Sequence, residues 1–264
     1  MRLITFDFTF RVKCGLAGGG GPLLRNANGA GLWRFVAAFS IGFPMETSPH
    51  RPHADLHPAL RLRVENLAVA RGGRPVLHNV SFTLAGGAAL VVTGRNGAGK
   101  STLLRALAGL LPTLGGRVTL EGAGAGTELA QAAHYLAHAD GMKAALTVEE
   151  NLEFWASYLG QAEDSRSRPV DQALAVVGLG HARRAPFGAL SAGQKRRAAL
   201  ARLLVAYRPL WLLDEPLTAL DRGSREKFAD AMREHCALGG AIVAATHEPL
   251  GLEEAGELAL GAPQ

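Results

Sequence analysis

Cysteine is scarce: Cys14 and Cys236 are the only two, far apart and in no CxxC pairing, which excludes a disulfide framework and a thiolate zinc site. A reduced, cytosolic setting follows. Long apolar runs are also missing. The nearest, Gly31 to Phe43, falls short of the roughly 18–20 residues that a bilayer span requires and is interrupted by Arg34. A basic stripe is missing too. The net charge is +5, but residues 1–58 carry six basic and three acidic groups and so supply +3 of it, leaving the longer remainder close to neutral. That distribution argues against nucleic acid as a partner. With 48% hydrophobic residues in 264, the chain is expected to be globular and soluble, with ample material for one large α/β domain or two small ones.

Residues 1–58 differ from the rest and read as a poorly ordered extension. Gly18 to Gly21 followed by Pro22 is a flexible break, and Ser48 to His53 is Pro-rich. Three alternatives compete: a signal peptide, against which basic and glycine-rich residues precede the apolar run with no clear small-residue cleavage site after it, an interfacial anchor through Trp33 to Phe43, and a leader that is not translated. Met45 opens a stretch leading directly into the domain, which favours the third; a peptide from residues 2–44 in the endogenous protein would exclude it. His50, His53 and His57 have no acidic or cysteine partner nearby in sequence and do not read as a metal or haem site.

The stretch around which the rest is organised is Gly94, Arg95, Asn96, Gly97, Ala98, Gly99, Lys100, Ser101 and Thr102, which fits G-x-x-x-x-G-K-[ST]. The apolar run Ala88 to Thr93 predicts a buried parallel strand before it, and Leu103 to Ala108 a helix after it. Glycines let successive N–H groups turn toward phosphate oxygens, and the helix N-terminus adds its positive pole. Lys100 then offers a point charge to the β- and γ-phosphates, and the Ser101 hydroxyl a ligand to Mg²⁺. This is a site for a nucleoside triphosphate.

The ordered domain should start near Leu60, with strands over Leu62 to Val69 and Val80 to Leu84 in an antiparallel sheet, joined by a turn at Gly72-Gly73. Val118 to Leu120 and His134 to Leu136 read as further short strands, and Gly122 to Gly126 as a turn. From Thr147 to about Arg184 the text is helical, opened by the capping-box pattern Thr147 to Glu150 and continued over Val170 to Val177. Leu190 to Gln194 then opens a long helix over Lys195 to Tyr207. Leu210 to Leu213 reads as a strand beside the P-loop strand that delivers Asp214 and Glu215. Asp214 would reach Mg²⁺ through water, while Glu215 can orient or deprotonate an attacking water. A helix over Ser224 to Ala237 and a buried strand Ala241 to Thr246 lead to His247, placed to hydrogen-bond a γ-phosphate.

Together these pieces resemble the ATP-binding cassette (ABC) ATPases over residues 60–260. The resemblance implies an α/β P-loop NTPase over residues 59–264, with a RecA-like parallel core, an N-terminal antiparallel β subdomain and a helical signature subdomain over about 147–208. In the family's terms Gly94 to Thr102 is Walker A, Leu190 to Gln194 the signature loop, Leu210 to Asp214 Walker B, Glu215 the catalytic glutamate, Ala219 to Asp221 the D-loop and His247 the switch histidine. ATP and Mg²⁺ are the implied cofactors.

Ser191 and Gly193 open a helix of about fifteen residues, roughly 20 Å at 1.5 Å per residue, whose far end feeds the Asp214 strand. They cannot reach their own nucleotide, so Ser191 and Gly193 are expected to serve ATP bound by a second copy in a head-to-tail sandwich dimer, and the resemblance adds Gln194 of the signature loop and Asp221 of the D-loop to the nucleotide-binding residues. Two positions depart from the family. No glutamine stands in Tyr135 to Asp140, where Ala139 occupies the expected place, and Arg71 stands where an aromatic ring usually packs on adenine. A guanidinium plane can also stack on a base.

Finer details resemble the ATP-binding subunits of cytochrome c biogenesis haem exporters: His134 to His138 with Gly141-Met142-Lys143, Glu150-Asn151-Leu152, Lys195-Arg196-Arg197 after the signature, Trp211 within Walker B, and Thr246 to Leu250. That likeness implies a peripheral ATPase on the cytoplasmic face of the inner membrane. It would dock on integral-membrane subunits and support haem export or release of a haem-loaded chaperone. An ABC subunit for another cargo is the alternative. A soluble, non-transport ABC protein usually needs two cassettes or long coiled-coil inserts, and neither is present.

Overall fold

The computed structural model describes residues 59–124, 126–160 and 164–261. The N-terminal extension read at 1–58, with its apolar run, Met45 and three histidines, lies outside the described residues.

Strands β1 (Arg61–Arg71) and β2 (Arg74–Ala85) form a hairpin, and β4 (Gly115–Glu121) pairs with the other edge of β1, giving a three-stranded antiparallel sheet of order β2-β1-β4. Leu62 and Val64 share a face with Leu67 and Val69 although strict alternation would separate them. A register shift between Val64 and Leu67 restores the match, with Asn66 at φ 50 and its N–H donating to Ser81 Oγ at 2.8 Å.

Five parallel strands form the second sheet: β3 (Ala89–Thr93), β5 (Ala133–Leu136), β6 (Leu210–Asp214), β7 (Ala241–Ala245) and β8 (Ala255–Ala259), in the order β5-β6-β7-β3-β8. The expectation that the Asp214 strand lies beside the P-loop strand is therefore corrected. Strand β7 stands between β3 and β6, pairing with both. The two motifs still meet, because helix α1 (Lys100–Leu107) leaves the end of β3 and packs across β7 onto β6.

Parallel strands covered on both faces need apolar residues on both, which explains the uninterrupted Leu-Trp-Leu-Leu and Ala-Ile-Val-Ala runs. Leu210, Leu212, Val243 and Ala245 face Leu103, Leu104 and Leu107 of α1 and the core of the antiparallel sheet. Trp211, Leu213, Ile242 and Ala244 face the opposite layer, where helices α5 (Ala192–Val205) and α6 (Arg222–Ala237) supply Leu200, Leu203, Phe228 and Met232.

A short helix α2 (Leu129–Ala132) leads into β5, and helices α3 (Val148–Leu159) and α4 (Val170–Val176) pack on α5. Thr147 caps α3 in a reciprocal box with Glu150, as its sequence predicts. Asn151, 2% exposed, accepts from Lys143 N at 2.7 Å and donates to the carbonyls of Lys143, Leu146 and Thr147, so one amide shapes the loop into α3. Among the described residues no helix is long and apolar enough to cross a membrane.

Candidate functional site

The glycine-rich loop closes on its own lysine. Lys100 Nζ donates to Gly94 O at 2.7 Å and Arg95 O at 3.4 Å, so the loop's first carbonyls hold this ammonium in place. Gly94 sits at φ 135, and a Cβ there would stand 2.5 Å from Leu260 O just beyond β8. Leu260 N in turn donates to Thr93 O at 2.9 Å. Only glycine fits between the loop and that strand end. Ala98 N donates to Arg95 O at 3.0 Å, which turns the loop into α1.

A cavity of about 450 Å³ opens over this loop, lined by Arg71, Val76, Asn96, Gly97, Gly99, Lys100, Ser101, Thr102, Asp214 and Glu215. Ser101 Oγ donates to Asp214 Oδ1 at 3.0 Å across the gap between α1 and β6. Hydroxyl and carboxylate oxygens held this close are the hard-donor set that suits Mg²⁺ when substrate phosphates complete its shell. His247 joins from the end of β7, its Nε2 3.0 Å from Lys100 Nζ. The structure thus gathers Arg71, the loop, Asp214, Glu215 and His247, drawn from both sheets.

Glu215 adopts φ 45, a left-handed backbone that costs a non-glycine residue on the order of 1–2 kcal/mol and persists only where its surroundings hold it. Its N–H donates to Ala245 O at 2.9 Å. Its carbonyl accepts from Arg196, a residue that the sequence places after the signature but without a role in the site. Arg196 is 5% exposed, and burial draws its guanidinium below the usual arginine range against the opposing pull of Asp140, Asp214 and Glu215.

The signature residues stand elsewhere. Ser191 caps α5 by accepting from Gln194 N at 3.3 Å, while Gln194 Oε1 accepts from Ser191 N at 3.0 Å. Both side chains are exposed or half-buried, and neither lines the cavity above the loop. Gly193 lies against the segment after Glu215, where a Cβ would be 2.8 Å from Ala219 O. Asp221 caps α6 by accepting from Ser224 N at 2.8 Å. Ser191, Gly193, Gln194 and Asp221 are therefore not brought to this chain's own loop. The segment His138-Ala139-Asp140 borders a smaller cavity with Ala192, Lys195, Arg196, Thr218 and Ala219, and Ala139 itself is exposed.

Two buried histidines support the framework. His134 Nε2 lies 2.7 Å from Ala206 O, and burial lowers its pKa to about 3. His235 stacks on Trp211 at 4.1 Å between ring centroids, and burial lowers its pKa to about 4.

Residues 77–218 match the protein family described as ABC transporter. The chain is 55% identical over 204 residues to the cytochrome c biogenesis ATP-binding export protein CcmA of Chelativorans sp. strain BNC1, covering 77% of this chain and 99% of that protein. It is 53% identical over 199 residues to the CcmA of Agrobacterium fabrum, covering 75% and 93%. A solved structure described as the ATP-binding subunit of an ABC transporter superposes with TM-score 0.62 at 25% identity, over 70% of this chain and 79% of that one. The chain belongs to the ABC transporter family, and within it to the group of the cytochrome c biogenesis ATP-binding export proteins.

Proposed function

We propose that this protein is the ATP-hydrolysing subunit of an export complex for cytochrome c maturation, and that Lys100, Ser101, Asp214, Glu215 and His247 carry the hydrolysis. The observation that carries this reading is that Lys100, Ser101, Asp214 and Glu215 line one cavity, with Ser101 bonded to Asp214 and His247 brought to its edge by its contact with Lys100. Backbone N–H groups of Asn96 to Thr102 cradle the phosphates, and Lys100 balances charge on the β- and γ-phosphates. Ser101 and, through water, Asp214 would hold Mg²⁺, which when bound neutralises phosphate charge. Glu215 orients the attacking water and takes up its proton, and His247 donates to the γ-phosphate. Arg71 offers its guanidinium face to the adenine.

The reading extends to partners. A second copy supplies Ser191, Gly193, Gln194 and Asp221 to each nucleotide, which accounts for their absence from the chain's own cavity. Integral-membrane subunits hold the pair on the cytoplasmic face of the inner membrane, and haem or a haem-loaded chaperone is the cargo whose movement hydrolysis drives. Deleting the chain in its host should abolish covalent c-type cytochromes, with restoration by the wild type and not by Glu215→Gln. Retention of haem-stained c-type cytochromes in the deletion strain would overturn the proposal.

A further inference from the structure

We infer that Arg196 is a positioning residue for hydrolysis, fixing the backbone of Glu215 and tying it to the loop that follows β5. The inference rests on the reading above that Glu215 acts on the attacking water.

Arg196 lies one turn into α5, and its planar fork spends its donors on main-chain carbonyls rather than on solvent. Nη2 donates to Asp214 O at 2.9 Å and Glu215 O at 2.7 Å, and Nε to Pro216 O at 3.2 Å. Three consecutive carbonyls at the end of β6 are thus gripped by one side chain. On its other side Nη1 donates to Ala137 O at 2.9 Å and stands 3.8 Å from Asp140 Oδ1.

Glu215 most needs this grip. Its φ of 45 is held from one side by the N–H bond to Ala245 O and from the other by Arg196. Because the same guanidinium holds Ala137 and Asp140, any shift of that loop pulls on the carbonyls that aim the carboxylate. Asp140 is half-buried and close enough to restrain Arg196 without occupying the main-chain bonds. A lysine would keep the charge but could not bridge three carbonyls and the loop at once.

The test uses the full chain and the variants Arg196→Lys, Asp140→Asn and Glu215→Gln, with kcat, KM, the dissociation constant for a fluorescent ATP analogue, and the thermal midpoint measured for each. Misplacing a reacting group by a fraction of an ångström costs rate more than binding. Arg196→Lys should lose about tenfold or more in kcat while nucleotide affinity stays within about threefold and the midpoint moves little. Asp140→Asn should show a smaller loss, again in kcat and not in KM. Wild-type kcat in Arg196→Lys, or a parallel loss of affinity, midpoint and kcat, would overturn the inference. If Arg196→Lys does not fold, Asp140→Asn decides: unchanged kcat there overturns it. Glu215→Gln separates the two ideas. If it retains turnover, the reading of Glu215 fails; if it is inactive while both other variants keep wild-type kcat, only the role of Arg196 fails.

Discussion

Lys100 Nζ stands 3.0 Å from His247 Nε2 and 2.7 Å from Gly94 O, so one ammonium ties the first residue of the phosphate loop to a histidine just beyond β7, 147 positions after the lysine itself. For the ammonium to donate, His247 must present a bare Nε2 and carry its proton on Nδ1.

The two ends of that bond should separate in kinetics. Lys100→Ala removes a charge-assisted contact worth about 1.5–3 kcal/mol, so ATP affinity should fall by roughly 10- to 100-fold. His247→Ala removes the proposed donor to the transferring phosphate, and kcat should fall on the order of 100-fold with affinity changed far less. Equilibrium binding of a fluorescent ATP analogue beside steady-state hydrolysis distinguishes them; equal losses of affinity in both variants would contradict the assignment.

Ser101→Ala leaves Asp214 without its 3.0 Å hydroxyl partner and removes one oxygen of the proposed Mg²⁺ set from the wall of the cavity. The Mg²⁺ concentration for half-maximal hydrolysis should rise by about tenfold or more, in the range seen when metal-site supports are removed. A magnesium titration at saturating ATP reads this directly, and an unchanged requirement would remove Ser101 from the metal's shell.

Assembly can be tested by mixing. A Ser191→Arg chain keeps its own Glu215, and a Glu215→Gln chain keeps its own Ser191, so a mixed pair contains one complete site. Each variant alone should be inactive, and an equimolar mixture should regain about a quarter of wild-type activity, as random pairing of a twofold assembly requires. No recovery in the mixture would count against nucleotide sites shared between copies.

Stability should fall on acidification below the ordinary histidine range. His134 and His235 are held neutral, with pKa values lowered to about 3 and about 4 from 6.5, so between those limits the unfolded chain binds protons that the folded chain refuses. Their contribution is fully present above pH 6.5 and is lost as pH falls toward 4, by about 1.4 kcal/mol per pH unit for each histidine. Denaturant titrations at pH 7, 6 and 5 of the wild type and of His235→Phe should show a shallower decline in the variant, whose ring keeps the stack on Trp211.

Most of the site was legible because its chemistry is local. The loop from Gly94 to Thr102, the carboxylates after Leu213 and the strand before His247 each carry their meaning within ten residues, flanked by apolar runs that only a covered parallel sheet needs. What escaped is non-local. Strand β4 reads like its neighbours in sequence, yet it pairs with β1 in the antiparallel sheet. Strand β8, Ala-Gly-Glu-Leu-Ala, lacks β-branched residues and pairs only with β3, so nothing in its pattern separates it from a loop. Helix α5 begins at Ala192 and not at Lys195, because Ser191 and Gln194 satisfy each other's end of the first turn; that spacing was a readable cap, masked by Gly193. Arg196 looks like one of three surface cations, and only the fold shows that it turns inward onto the carbonyls around Glu215, while Arg197 reaches those of Val177 and Gly178.

The contact between Gly94 and Leu260 gives the last described residues an importance that their plain sequence hides. Every nucleotide-site motif lies before Glu248, so a frameshift or nick beyond that point would spare all of them on inspection. Yet the carbonyl that closes behind the phosphate loop comes from Leu260, and its amide anchors the strand that presents the loop. Chain completeness here is a matter of architecture, and a motif inventory would certify a fragment whose cradle has lost its back wall.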